Sequence, residues 1–367
     1  MPKSRILIIT PYAGRTGSEM MIGYLLQQFS RERFDIALCA LRDGELLRDL
    51  PADVPAFVAP HRFTLWQKVM NKAGKNPILR YLRQVQKTFQ ADIWYFNTLV
   101  PSFLLPLAKE LGVRIVTHFH ELPMEYVALR RQAFADTLQQ SDLIIGCSEI
   151  VCRRIAEAGG QRIRLCHSLI DLSRIEVKED RAAVLRRQWE IAGDEFLWIM
   201  SGQTTYRKGF DLLPEFAERL RGSRARILWL GQVLDDGLVE YTLERLRRTE
   251  GIRVDVAGAQ REDYYTYLSM ADGFLLTSRE DPFPLVMIEA AALGKPIVSF
   301  SSGGVAEFLT EGMGAAVDSW NVRDVVAMMR QYMEQLRVSD PEKSRKRAQE
   351  FDVERIIPRW EEIMLEV

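Results

Sequence analysis

Residues 280–307 read EDPFPLVMIEAAALGKPIVSFSSGGVAE, and the order of features in this stretch decides how the rest of the chain is read. The apolar run Gly273–Thr277 precedes it as a strand, and a helix is expected to begin near Leu285 and to carry Glu289 on its second turn. Asp281 and Glu289 stand at an acidic-x7-acidic spacing. A carboxylate held there can accept both hydrogen bonds of a ribose diol, a charge-assisted bidentate contact. Lys295-Pro296 leads into a further apolar run, which ends at Ser301-Ser302-Gly303-Gly304 before another helix. Glycines at a strand-to-helix turn let backbone N–H groups approach a phosphate. Either feature alone suits a solvated helix face or a bare turn. Together and in this order they point to a nucleotide.

Outward from that stretch the same alternation continues. Short apolar runs recur at Phe196–Met200, Arg226–Leu230, Ile252–Val256 and Pro296–Phe300, with helix-like segments between them. The first half carries its own set: Arg5–Thr10, Asp35–Ala40, Ile93–Phe96, Val113–His118, Leu143–Cys147 and Arg162–Cys166. Their hydrophobicity is continuous, which marks strands covered on both faces and hence parallel sheets. Residues 173–187 are charged and read as a linker followed by a helix. The expectation is α/β: two doubly wound, Rossmann-like domains, 1–172 and 173–350, with the ligand in the crevice between them. The amphipathic tail 351–367 is expected to return to the first domain.

Composition bounds the function. A chain of 367 residues suits two cores; 47% hydrophobic, 27% charged and a net charge of -1 describe an ordinary globular protein with no signature of nucleic-acid binding. Cys39, Cys147, Cys152 and Cys166 form no C-x-x-C pair and read as reduced thiols of a reducing compartment. The first apolar run is too short for a signal peptide and no stretch approaches a membrane span, so a cytoplasmic place is expected.

Met200–Leu212, MSGQTTYRKGFDL, reads as strand, G-x5-K-G and helix. Lys208, with Arg207 beside it, lies where a cation would meet a diphosphate whose negative charge grows as a glycosidic bond breaks. With the D-x7-E spacing and the Gly-Gly turn, the chain resembles the group 1, family 4-like retaining glycosyltransferases of the GT-B fold. Their pattern is E-x7-E followed by A-x-A-x-G-x-P and a glycine pair.

The resemblance implies several roles. Glu289 would hold the donor ribose, and Asp281, or Glu280 one residue out of register, would sit near the donor sugar. Lys208 would take the diphosphate with Gly303 and Gly304. The family's usual Arg falls on Gln203, which leaves Arg207 as the substitute cation. Gly258 and Arg261 bound the loop facing the nucleobase. In the first domain the family's GG-x-E element becomes Thr16-Gly17-Ser18-Glu19, with Gly17 on the donor phosphates, and Ser168 stands where Asn is common. The resemblance also favours His120 as the histidine on the transferred sugar, with His118 second. We read the two as facing opposite sides of the strand end, so that only one lines the crevice. Zinc is not expected, because no Cys or third His sits at ligand spacing.

Residues 61–90 hold seven Lys or Arg and no acid: Arg62, Lys68, Lys72, Lys75, Arg80, Arg83 and Lys87, interleaved with Phe63, Trp66, Tyr81 and Phe89. Such a stretch suits either a solvated basic face or an anionic membrane surface with aromatics at headgroup depth. The expected activity is transfer of a sugar from a nucleotide diphosphate sugar to a hydroxyl acceptor, which a membrane surface would make a lipid-linked saccharide. No metal and no cofactor beyond that co-substrate is expected, and bacterial cell-surface polysaccharide or glycolipid synthesis is the expected setting. A nucleotide-sugar epimerase and a non-catalytic scaffold binding nucleotide sugar or membrane are the rival readings.

Overall fold

A computed structural model describes residues 3–60, 76–126 and 132–367. The chain divides into two compact units, residues 1–170 with 353–367, and residues 171–352.

The first unit holds a seven-stranded sheet in the order β3-β2-β1-β4-β5-β6-β7. Its strands are β1 (Ser4–Thr10), β2 (Phe34–Ala40), β3 (Ala56–Val58), β4 (Ile93–Asn97), β5 (Arg114–Phe119), β6 (Leu143–Gly146) and β7 (Ile163–Leu165). Every pairing is parallel; Ile6, for example, lies between Ile36 and Ile93. Side chains alternate across a strand, so a run buried at every position must be covered twice. On β1 Ile6 and Ile8 join one core with the helix α1 (Gly17–Gln28), while Leu7 and Ile9 join another with Leu82, Val85 and Phe89 of the helix α2 (Pro77–Phe89). The continuous apolar run RILIIT is thus the direct cause of the three-layer build.

The C-terminal helix, here α5 (Val353–Leu365), belongs to this first core. Trp360 packs edge-on against Phe34 and Tyr95 with ring centroids 6.0 and 5.7 Å away. Glu361 pins the same helix: its carboxylate accepts from the Ser30 amide at 2.6 Å and from Arg33 at 2.9 Å.

The second unit holds a six-stranded parallel sheet in the order β10-β9-β8-β11-β12-β13. These are β8 (Phe196–Ser201), β9 (Ala225–Leu230), β10 (Arg253–Gly258), β11 (Gly273–Leu276), β12 (Ile297–Phe300) and β13 (Gly314–Val317). Two helices shape its carboxyl end, α3 (Tyr264–Met270) and α4 (Leu285–Ala292). In each sheet the strand order reverses once, between β1 and β4 and between β8 and β11. The carboxyl ends of such neighbours are where open α/β sheets take ligands, because the connecting chains leave in opposite directions.

Candidate functional site

At the β8/β11 reversal, two loops leave the sheet together and are tied to one another by one arginine. Arg279 forms a bidentate pair with Asp211 at 2.7 and 2.8 Å, and its guanidinium lies 3.8 Å over the Tyr206 ring. Its guanidinium also donates to the Tyr206 carbonyl at 2.5 Å, and its amide donates to the Arg207 carbonyl at 2.7 Å. Gly209, at φ +79, rests against Thr277; a Cβ there would come within 2.5 Å of the Thr277 carbonyl oxygen. The Thr277 hydroxyl in turn donates to the Lys208 carbonyl at 3.0 Å.

This stitching brings together the residues that the sequence picked out separately. Lys208 Nζ lies 2.5 Å from Asp281 Oδ2, and the Ser278 hydroxyl donates to that same oxygen at 3.0 Å. Asp281, rather than Glu280, faces the lysine. The Glu280 carbonyl instead accepts from the Arg207 guanidinium at 3.0 Å, so Arg207 braces the acidic loop. Gln203 is exposed and donates to Gln232 at 3.1 Å.

Gly303, at φ +55, lies so close to the Asp281 carbonyl that a Cβ would stand 1.7 Å from that oxygen. The Gly304 amide donates to the same carbonyl at 3.2 Å. A donor already bonded inside the protein is not idle, so the expectation of two amides waiting for phosphate does not hold for Gly304. What requires glycine here is the close approach of two loops.

Glu289 sits on α4, as its spacing predicts. Its two carboxylate oxygens accept from the Tyr264 hydroxyl at 2.9 Å and the Tyr265 hydroxyl at 3.2 Å. Burial pushes this carboxyl up to about 7, against the lowering effect of the two phenols. Tyr264 also meets the Ser201 hydroxyl, at the end of β8, at 3.0 Å. Sequence reading missed both tyrosines: nothing local in DYYTYL shows that the hydroxyls converge on a residue 25 and 24 positions away. Gly258, at φ +73, ends β10 and its carbonyl accepts from Gly231, while Arg261 is exposed.

In the first unit His118 is the penultimate residue of β5 and His120 follows the strand. Their ring centroids are 4.1 Å apart. Residues i and i+2 share a face of a strand, so the expectation of opposite faces was a misreading of the period. His118 is fully buried and its Nδ1 meets the Tyr95 hydroxyl at 2.5 Å. Burial holds both imidazoles in the neutral form, His118 far below the ordinary value and His120 at about 3. His120 Nε2 is closed to solvent and has no partner among the described residues.

Glu121, unremarked in the sequence, accepts from the Leu99 and His120 amides at 2.8 and 2.9 Å, and burial pushes it up to about 7. It therefore ties the ends of β4 and β5 together beside the histidines. Gly17 opens α1 and is exposed; Thr16 bonds Glu19 in that first turn.

Of the basic stretch, Arg62, Trp66, Lys68, Lys72 and Lys75 lie outside the described residues. On α2, capped by Asn76, Arg80 and Lys87 are exposed and Arg83 pairs with Glu110 at 2.5 Å. Phe89 is not a headgroup aromatic, because it is buried in the sheet core under Arg5. Among the described residues no group of three His, Cys, Asp or Glu is arranged to hold a metal, and no helix is long and apolar enough to cross a membrane.

The profile of the family "Glycosyl transferases group 1" matches residues 182–351, and that of "Glycosyltransferase Family 4" matches residues 15–174. Together the two matches support a group 1 glycosyltransferase, and the two parallel sheets fit the GT-B fold.

Among curated relatives it is 27% identical over 250 residues to the GDP-mannose-dependent alpha-(1-6)-phosphatidylinositol monomannoside mannosyltransferase of Mycolicibacterium smegmatis, covering 63% of this chain and 64% of that one. It is 30% identical over 177 residues to the lipopolysaccharide core biosynthesis glycosyltransferase LpsE of Rhizobium meliloti, covering 47% and 48%. The matched segments thus span under two thirds of either relative.

Among solved structures it is similar to Anabaena HepE in complex with UDP and glucose, at a TM-score of 0.81 and 18% identity, over 99% of this chain and 100% of that one. A glycosyltransferase from Rickettsia africae superposes at a TM-score of 0.79 with 14% identity, over 100% and 99%. At such identities the likeness is one of fold.

Proposed function

We propose that the chain moves a hexose-type sugar from a nucleoside diphosphate sugar to a hydroxyl acceptor, with retention of anomeric configuration and without a metal ion. The second unit takes the donor and the first takes the acceptor. The observation that carries this reading is the Lys208–Asp281 pair at the β8/β11 reversal, with Glu289 beside the same strand ends.

An ammonium has three donors, and Asp281 uses one of them. The others are available to a diphosphate whose charge grows as the glycosidic bond breaks, and such a contact typically contributes about 10²–10³ in rate. Asp281, held by Ser278 and Lys208, faces the transferred sugar. Glu289 takes the ribose diol, Gly303 the phosphates, and Gly258 with Arg261 the base. The neutral His120 offers a hydrogen bond rather than a charge to the sugar. Positioning and leaving-group stabilisation then account for catalysis without a covalent nucleophile.

The acceptor we infer is a lipid-linked saccharide in bacterial cell-surface polysaccharide or glycolipid synthesis, met by a cytoplasmic, peripheral protein. The relatives named for phosphatidylinositol mannoside and for lipopolysaccharide core support this, as do the exposed Arg80 and Lys87. HepE, solved with UDP and glucose, supports a nucleoside diphosphate hexose as donor.

The test is transfer from radiolabelled UDP-glucose, GDP-mannose and UDP-N-acetylglucosamine to lipid extracts in chelator, with the anomeric configuration of the product read by NMR. A labelled, retained glycolipid is expected, and Lys208→Ala should abolish it. Conversion of donor to its isomer, or no turnover with any donor, would overturn the reading.

A further inference from the structure

The Glu289 carboxylate does not stand alone, and its surroundings are built from three elements. Tyr264 and Tyr265 are adjacent on α3, so their side chains leave the helix about 100° apart. Both nevertheless reach Glu289 on α4, one phenol to each carboxylate oxygen, at 2.9 and 3.2 Å. Burial keeps the Tyr264 phenol protonated, so it is the donor in that contact. The Ser201 hydroxyl must then donate to Tyr264 across their 3.0 Å separation, which makes a directed chain from the end of β8 to the carboxylate. The start of α3 is itself fixed, since Asp263 pairs with Arg181 at 2.9 Å and with Lys178 at 3.5 Å.

A carboxylate offers about four lone-pair sites, two on each oxygen. Two phenols fill two of them and leave one on each oxygen for an incoming pair of hydroxyls. A carboxylate gripped at both oxygens can neither spin about its last bond nor swing away. Its remaining lone pairs then keep one direction.

We propose that Tyr264, with Tyr265 beside it, is the positioning residue that aims Glu289 at the donor ribose. This rests on the reading of Glu289 as the ribose contact. The phenols stay in place when the donor binds; they are not place-holders for the diol.

The test uses the full chain and calorimetric titration of UDP and GDP against their 2′-deoxy and 3′-deoxy counterparts. The wild type should prefer the ribonucleotides, and Glu289→Gln should erase the preference. Tyr264→Phe keeps the ring and removes only the hydroxyl. It should weaken ribonucleotide binding about 10–150-fold, the worth of one hydrogen bond to a charged group, and change deoxynucleotide binding about 2-fold or less. Ser201→Ala should act in the same direction by a smaller factor. Added to Glu289→Gln, Tyr264→Phe should change nothing further.

An equal loss on ribo- and deoxynucleotides would mean that Tyr264 merely supports the fold, and the proposal would fail. Tighter ribonucleotide binding in Tyr264→Phe would show the phenol to be a competitor of the diol, which also overturns it. A wild type that binds both kinds equally would sink the ribose assignment itself, a separate failure that takes this one with it.

Discussion

The ammonium of Lys208 and the carboxylate of Asp281 meet at 2.5 Å with both side chains largely buried, 16% and 8% exposed. Two residues 73 positions apart thus form one unit at the strand reversal of the second sheet. Removing either partner leaves the other charge buried without compensation, which typically costs about 3–5 kcal/mol of stability. Lys208→Ala should therefore melt earlier than wild type as well as lose activity. Lys208→Met with Asp281→Asn should recover the melting temperature without recovering transfer. A double variant as unstable as the single one would show that the pair is not a unit.

Glu289 gives a pH signature. Its carboxyl holds its proton up to about 7 in the folded chain, against an ordinary 4.5. Between those values the folded chain keeps a proton that the unfolded chain has lost, so folding stability falls as pH rises through that window. Glu289→Gln removes this loss. Its melting temperature relative to wild type should rise from about pH 5 to about pH 8 and then level off. Nucleoside diphosphate binding should respond in the opposite sense: wild-type affinity, taken relative to Glu289→Gln, should climb over the same range. A constant difference between the two proteins at all pH values would contradict the assignment.

Arg279 joins the lysine loop to the acidic loop through Asp211, Tyr206 and Arg207. Arg279→Lys retains the charge but loses the planar fork that grips both Asp211 oxygens. The loss should be about 1.5–3 kcal/mol in stability, with donor affinity falling alongside as Lys208 is less well placed. Calorimetry of Arg279→Lys with UDP or GDP checks this, and unchanged affinity would show that the loops hold each other without the clamp.

The helix α5 should matter to the first unit alone. Trp360 is buried against Phe34 and Tyr95, and its truncation to Ala should cost about 3–5 kcal/mol. Nucleoside diphosphate binding, placed in the second unit, should persist below the new melting temperature. A scan with two transitions, only the first shifted, is the expected result.

Much of this was legible because burial on both faces writes itself into the sequence as unbroken apolar runs. RILIIT and ARILWL are strands on that ground alone. Two strands escaped notice. The edge strand β3 is only AFV, and β13 is GAAV, whose small side chains carry little hydrophobic signal.

The site was legible residue by residue but not in its contacts. Lys208, Asp281 and Glu289 follow from spacing, whereas the phenols on Glu289 and the bond from Gly304 to Asp281 come from tertiary approach. Arg207 shows the same limit: a cation beside Lys208 in sequence turns to brace the Glu280 carbonyl.

The most direct test of the whole account is a crystal of the full chain soaked with UDP or GDP. A phosphate oxygen is expected within hydrogen-bond distance of Lys208 Nζ, with the ribose hydroxyls on the Glu289 carboxylate. A nucleotide bound elsewhere, with the Lys208–Asp281 pair and the tyrosine-held Glu289 untouched, would contradict it.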